Sequence, residues 1–249
     1  MGILHLESLR RTGATGKGVK VAVVDSGING THPHIGGIAG GIRIAVDENK
    51  NIYTDAKHTG DEIGHGTACA ALIRLKAPGV SLHSIKIFEN SLSTYTQVLI
   101  YALSWCIEES FDIINLSLGS KGNRHADSLH KVCRQAAEKN ILIVSSLPPL
   151  SQSLPGLYPE VLGVCSDEKC GFDDILPDDL ENFNCRASGN PRPLPGLPVQ
   201  MNFKGDSLAC AHVTGFMALL KEQQKGIRWK TLSETLKAYF AKDFNELQL

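Results

Sequence analysis

Val19-Lys-Val-Ala-Val-Val-Asp25, entered from Gly16-Lys17-Gly18 and left through Ser26-Gly27, decides how this chain folds. The run is Val-rich rather than alternating, the pattern of a strand buried on both faces within a parallel sheet. Its exit through Ser-Gly puts Asp25 at the strand's carboxyl end. Similar short runs rich in Val, Ile and Leu recur at Ser81 to Phe88, Asp112 to Leu118, Ile141 to Ser145 and Val161 to Cys165. Helical stretches lie between them. Thr96 to Glu109 carries Val98, Leu99, Ala102, Leu103, Trp105 and Cys106, too apolar for a one-sided surface helix. His125 to Asn140 is more amphipathic, with Leu129, Val132, Cys133 and Ala136 as its inner stripe. Alternating strand and helix predicts an α/β fold: a doubly wound, mostly parallel sheet flanked by helices, with its ligand site at the carboxyl ends of the strands. Asp25 and Ser117 both reach that edge.

Outward from this core, the composition sets limits. The 249 residues are 42% hydrophobic and 20% charged, enough for one large core and unlike a disordered chain. Leu176 to Lys204 carries Pro177, Pro191, Pro193, Pro195 and Pro198 and reads as irregular surface structure. A helix from Ser207 to Lys225 follows at once, so residues 1–249 are expected to form one domain. Lys plus Arg is 25 and Asp plus Glu is 26, which leaves no basic footprint for nucleic acid or an anionic membrane. No apolar run is long enough to cross a bilayer and no export signal opens the chain, so a cytoplasmic location is expected. The seven cysteines are odd in number and irregularly spaced, which suits free thiols. Cys165 and Cys170 are too far apart for a zinc knuckle, and the acidic stretch Asp167 to Glu181 reads as solvated surface. Neither a metal nor a cofactor is expected, and the oligomeric state is not legible.

Three segments carry the chemistry: Val21-Ala-Val-Val-Asp25-Ser-Gly27, Gly64-His65-Gly66-Thr67, and Gly205-Asp-Ser207-Leu-Ala-Cys-Ala-His212-Val-Thr-Gly215. Taken singly, Asp25 is a turn former, His65 a core histidine and Ser207 a helix cap. Taken together they resemble the Asp, His and Ser blocks of the subtilisin-like serine proteases, the subtilases, in that family's chain order. The resemblance continues through Ala77-Pro78, Asp112-Ile-Ile-Asn115-Leu-Ser-Leu-Gly119 and Tyr158-Pro159-Glu160-Val161, from Gly16 to Leu220. It implies Ser207 as nucleophile, His65 as its base and Asp25 as the carboxylate that orients the imidazole. Gly64 and Gly66 let backbone pass close to the imidazole, and a helix starting at Ser207 brings a backbone N–H to the developing oxyanion. His212 resembles the family's structural histidine. Ser117-Leu118-Gly119 resembles the edge that pairs with substrate backbone, and Ser145-Ser146 the opposite wall of the pocket.

Two positions depart from the family. The strand ending near Val144 should run into a Gly-Asn turn whose amide side chain donates to the oxyanion. Here Ser145-Ser-Leu-Pro-Pro149 follows, and Pro149 has no donor to offer. Asp206 stands before the nucleophile where the family has Thr, placing a carboxylate in the oxyanion region. Ser151, Gln152 or Ser153 could fold back to replace the donor. The resemblance therefore implies a slow, selective serine endopeptidase, similar to intracellular processing subtilases, that cleaves a peptide or precursor protein through an acyl-enzyme on Ser207. The alternative is an impaired pseudoprotease that binds a peptide or partner.

Overall fold

The computed structural model describes residues 3–119, 124–149, 151–178, 184–196, 202–224, 231 and 234. Its elements run β1 (Leu4–His5), α1 (Leu6–Arg10), β2 (Lys20–Asp25), β3 (Gly40–Val46), β4 (Ile52–Asp55), α2 (His65–Lys76), β5 (Ser81–Lys86) and α3 (Thr96–Glu108). They continue with β6 (Ile113–Leu116), α4 (Ala126–Glu138), β7 (Leu142–Ser146), β8 (Val161–Ser166), β9 (Asp174–Pro177), β10 (Cys185–Ala187) and α5 (Asp206–Gln223). All the strands join one sheet in the order β1-β9-β10-β8-β7-β6-β2-β5-β3-β4. From β10 to β3 every pairing is parallel, and antiparallel pairings close both edges.

Strand β2 is central, and its side chains divide between two layers. Val21 and Val23 pack with α2 and α5, while Ala22 and Val24 pack with α3 and α4. Because a strand alternates its faces, Asp25 falls on the side of Val21 and Val23, where the helices beginning at His65 and Asp206 lie. The same alternation on β6 sends Asn115 to that side, where Oδ1 accepts from Thr214 Oγ1 at 2.9 Å. Chain order reverses at β2: β5 and β3 lie to one side, β6, β7 and β8 to the other. A doubly wound sheet opens a crevice at such a point, above the carboxyl ends of its strands.

The proline-rich region is more ordered than its composition predicts. Within Leu176 to Lys204, β10 pairs parallel with β8 and antiparallel with β9, and Cys185 and Ala187 are buried. Three residues suffice for a strand when partners on both sides satisfy its backbone, and the prolines flank it. Pro198 lies outside the described residues, as do Glu181 and Lys225, where two of the expected segments end. The acidic stretch is likewise tied down. Asp167 pairs with Arg186 at 2.5 Å, Asp173 with Lys76 at 2.5 Å, and Asp174 with His5 at 2.5 Å. Among the described residues no helix is long and apolar enough to cross a membrane. All seven cysteines are buried, free thiols.

Candidate active site

Asp25 is fully buried at the end of β2, and its carboxylate faces the first residue of α2. His65 Nδ1 lies 2.8 Å from Asp25 Oδ1 and 2.9 Å from Oδ2, while Ser26 N donates to Oδ1 at 2.7 Å. This approach depends on Gly66. A Cβ there would lie 2.2 Å from Gly27 O and 3.1 Å from Asp25 Cβ, so only glycine lets α2 start so close to β2. Burial alone would lower the His65 pKa. The hydrogen bond to Asp25 and the charges of Asp25 and Asp61 outweigh it and raise the value above the ordinary 6.5.

Asp61 organises the loop leading to His65. Its Oδ1 accepts from Ser26 Oγ at 2.9 Å, Ile63 N at 3.0 Å and Gly64 N at 2.8 Å. Its Oδ2 accepts from Thr67 N at 2.8 Å and Thr67 Oγ1 at 2.7 Å. The carboxylate thus satisfies amides at the start of α2, a helix whose N-cap, Gly64, has no side chain to do so. Its pKa is lowered: burial opposes this, but the donors from Thr67, Gly64 and Ser26 prevail.

Ser207 sits in the first turn of α5, across the crevice. Its Oγ donates to Ser117 O at 3.0 Å, and Ser117 Oγ donates to Ser207 O at 3.2 Å. Ser117 Oγ also accepts from Asn115 Nδ2 at 2.8 Å, which ties the end of β6 to α5. Ser207 Oγ is therefore engaged with a carbonyl rather than with His65. His65 and Ser207 nevertheless line one cleft of ≈ 240 Å³, together with Ser117, Leu118 and Gly119 on one side and Leu92 to Thr96 on the other. A larger hollow of ≈ 530 Å³ opens at the opposite end of the strands, between Lys17, Asp112 and Asn140. It touches none of the Asp, His or Ser blocks, so chemistry favours the smaller cleft.

The remaining predicted positions fall as follows. Ser145 and Ser146 are buried as the last residues of β7, where they pair with Leu116, Gly163 and Val164. Ser145 Oγ reaches Leu118 O, on the edge of the cleft, at 3.4 Å. Ladder pairing on both sides holds the two serines inside the sheet. Pro149 is exposed, and Ser151 N donates to Pro148 O at 3.1 Å. The chain then returns, and Ser153 is buried with its Oγ only 1.7 Å from where a Cβ on Gly119 would stand. Asp206 turns its carboxylate to β8, where Oδ1 accepts from Ser166 N at 2.7 Å and Ser166 Oγ at 2.8 Å. His212 Nε2 bonds Asn190 O at 2.8 Å and its ring meets Phe172 edge-on at 4.7 Å. Burial first, then the charge of Lys76, pushes its pKa down to about 3.

One feature escaped the sequence reading, the ring of Phe203, while Cys69 lies one helical turn from His65 as its spacing predicts. Phe203 packs edge-on against His65 at 5.3 Å between ring centroids, and Cys69 lies beside the pair, with Sγ 3.3 Å from Ser117 Oγ. Asp25, His65 and Cys69 bring one potential ligand atom each within 4.8 Å of one another. Burial, followed by the Asp25 charge, holds the Cys69 thiol well above its ordinary pKa and so protonated, which suits packing better than metal ligation. No spacing rule signals Phe203, because the loop before α5 alone decides where its ring goes.

The Subtilase family model matches residues 16–166, more than half of the chain. The chain belongs to the subtilase family. Subtilisin NAT of Bacillus subtilis subsp. natto is 28% identical over 236 residues, covering 86% of this chain and 58% of that protein. The human membrane-bound transcription factor site-1 protease is 31% identical over 172 residues, covering 65% of this chain and 15% of the relative. This subtilase thus spans little more than half the length of the first of these relatives. Its fold is similar to that in the crystal structure of a cold adapted subtilisin-like serine proteinase, with a TM-score of 0.69 at 21% identity, covering 90% of this chain and 83% of that one.

Proposed function

We propose that this subtilase is a serine endopeptidase acting on a peptide or precursor protein, with Ser207 as nucleophile, His65 as general base and Asp25 as its orienting carboxylate. The observation that carries the reading is the buried Asp25–His65 pair opening onto the same cleft as Ser207. An imidazole held through Nδ1 leaves Nε2 for the nucleophile's proton, which is the division of labour acyl transfer needs. Rotation of the Ser207 hydroxyl from Ser117 O towards His65 is the step that readies it, and such bonds are often unformed without substrate. The cleft suits an extended chain laid along Ser117 to Gly119, with Leu92 and Tyr95 offering apolar surface; Tyr95 is 55% exposed. The amide N–H at the start of α5 supplies one oxyanion donor, and Pro149, at the position where the family's asparagine would supply the second, has none to offer, so turnover is slow.

A second reading is a peptide-binding module without efficient hydrolysis, favoured by the engagement of Ser207 Oγ with Ser117 O. Labelling with a fluorophosphonate separates the two. The endopeptidase labels stoichiometrically on Ser207, and Ser207→Ala and His65→Ala lose both label and peptide cleavage. Asp25→Asn lowers the acylation rate by about 10⁴-fold, through the wrong tautomer of His65. A folded wild-type protein that takes up no label is a binding module.

A further inference from the structure

Next to His65, a second pocket of ≈ 250 Å³, which shares no lining residue with the cleft along Ser117 to Gly119, is bordered by the Phe203 ring. His32, His34, Arg192, Leu194, Asn202 and Phe203 are among the residues that line it. Its position follows from the geometry of acyl transfer. The acyl half of a substrate lies along Ser117 to Gly119, and the imidazole gives its proton to the departing amine, so the leaving half passes His65. Phe203 and Gly64, which border His65, also border this pocket.

The charges there are unevenly committed. Arg192 Nη1 donates to His34 O at 3.1 Å, and no carboxylate among the described residues pairs with the guanidinium, which leaves Nε and Nη2 to a ligand. His32 and His34 meet edge-on at 5.1 Å, and His32 Nδ1 accepts from His34 N at 3.1 Å. Asp61 is the acidic residue in the lining, and both of its oxygens are filled by the donors from Ser26, Ile63, Gly64 and Thr67. A half-buried planar guanidinium that lines the pocket with Nε and Nη2 uncommitted among the described residues fits a carboxylate in bidentate fashion.

Resting on the peptidase reading, we propose that this pocket is a leaving-side subsite that selects substrates bearing a carboxylate after the scissile bond, on an Asp or Glu side chain or at the peptide's own carboxyl terminus, with Arg192 as the selecting residue. One good charge-assisted contact corresponds to about a tenfold preference. The test uses internally quenched peptides identical before the scissile bond. After it they carry Asp, Ala or Lys at each of the first four positions in turn, with either a free or an amidated carboxyl terminus. The readout is the ratio of kcat/KM between peptides within one protein, so a general loss of activity cancels. Wild type should favour Asp over Ala about tenfold at one or more positions, or free over amidated termini; which of the two appears distinguishes side chain from terminus. Arg192→Gln should bring the ratio near one, and Arg192→Glu should turn the preference towards Lys. Equal rates for all peptides in wild type, or an unchanged ratio in Arg192→Glu, overturns the proposal while leaving the peptidase reading intact. A wild type that takes no fluorophosphonate label overturns both.

Discussion

Asp61 collects five donors on one carboxylate and so fixes the loop that presents His65. Its negative charge also favours the imidazolium. A base must be neutral to act, so activity rises with pH through the His65 pKa, which lies above the ordinary 6.5. Asp61→Asn removes the charge, lowers that pKa and moves the acid limb of the acylation profile to lower pH. It also costs about 1 kcal/mol through weaker capping of α2. Acylation by an activated ester, followed across pH in both proteins, is the measurement; an unmoved acid limb refutes the coupling. At Asp206 the expectation is different, because its carboxylate holds Ser166 N and Oγ. Asp206→Ala should cost about 1–3 kcal/mol in urea unfolding. Asp206→Thr should leave the shape of the acylation pH profile unchanged, whereas a carboxylate beside the oxyanion would alter it.

At the scale of elements, the site depends on where two helices begin. α2 enters against the end of β2, and its first turn touches Gly27 O through the space a side chain would fill. Gly66→Ala should push α2 outward, cost about 1–3 kcal/mol and lower the acylation rate by about 10²-fold as His65 leaves Asp25. Matching loss of activity and stability by an unfolded fraction alone, with no change in the rate per labelled site, would contradict this. α5 is secured at both ends. Asp206 braces its start to β8, and Glu222 Oε2 near its end accepts Thr15 N and Gly16 N at 2.6 Å each, at the entrance to β2.

Across the whole molecule, two helical layers close over one sheet, and the layer holding α2 and α5 also buries His212. His212 is neutral in the fold, with its pKa pushed to about 3, but takes a proton near 6.5 when unfolded. The unfolded state therefore binds more protons below that point, and stability falls as the pH drops from about 6.5 towards 3, by up to about 1.4 kcal/mol per pH unit. His34 and His83, both lowered first by burial, add to the same slope. His65, raised, acts oppositely: its share is full below about 6.5 and is lost as pH rises through its folded value. Urea unfolding from pH 7 to pH 5 should show a shallower slope for His212→Gln than for wild type. Equal slopes would mean that His212 is protonated in the fold.

The valine-rich run to Asp25, the strands that repeat it and the three blocks around Asp25, His65 and Ser207 were all legible, because strand burial and helix starts are local patterns written in neighbouring residues. That much settled the doubly wound sheet, the helices opening at His65 and near Ser207, and the family. Tertiary structure decided the rest. Ser145 and Ser146 end β7 buried, with ladder partners on both sides, and Ser145 Oγ reaches Leu118 O on the cleft's edge. Asp206 faces Ser166, and β10 forms among prolines, since β8 and β9 stand ready to pair with it. The direction of a side chain and the pairing of a three-residue strand depend on partners 8 to 40 residues away, whose positions no local spacing encodes.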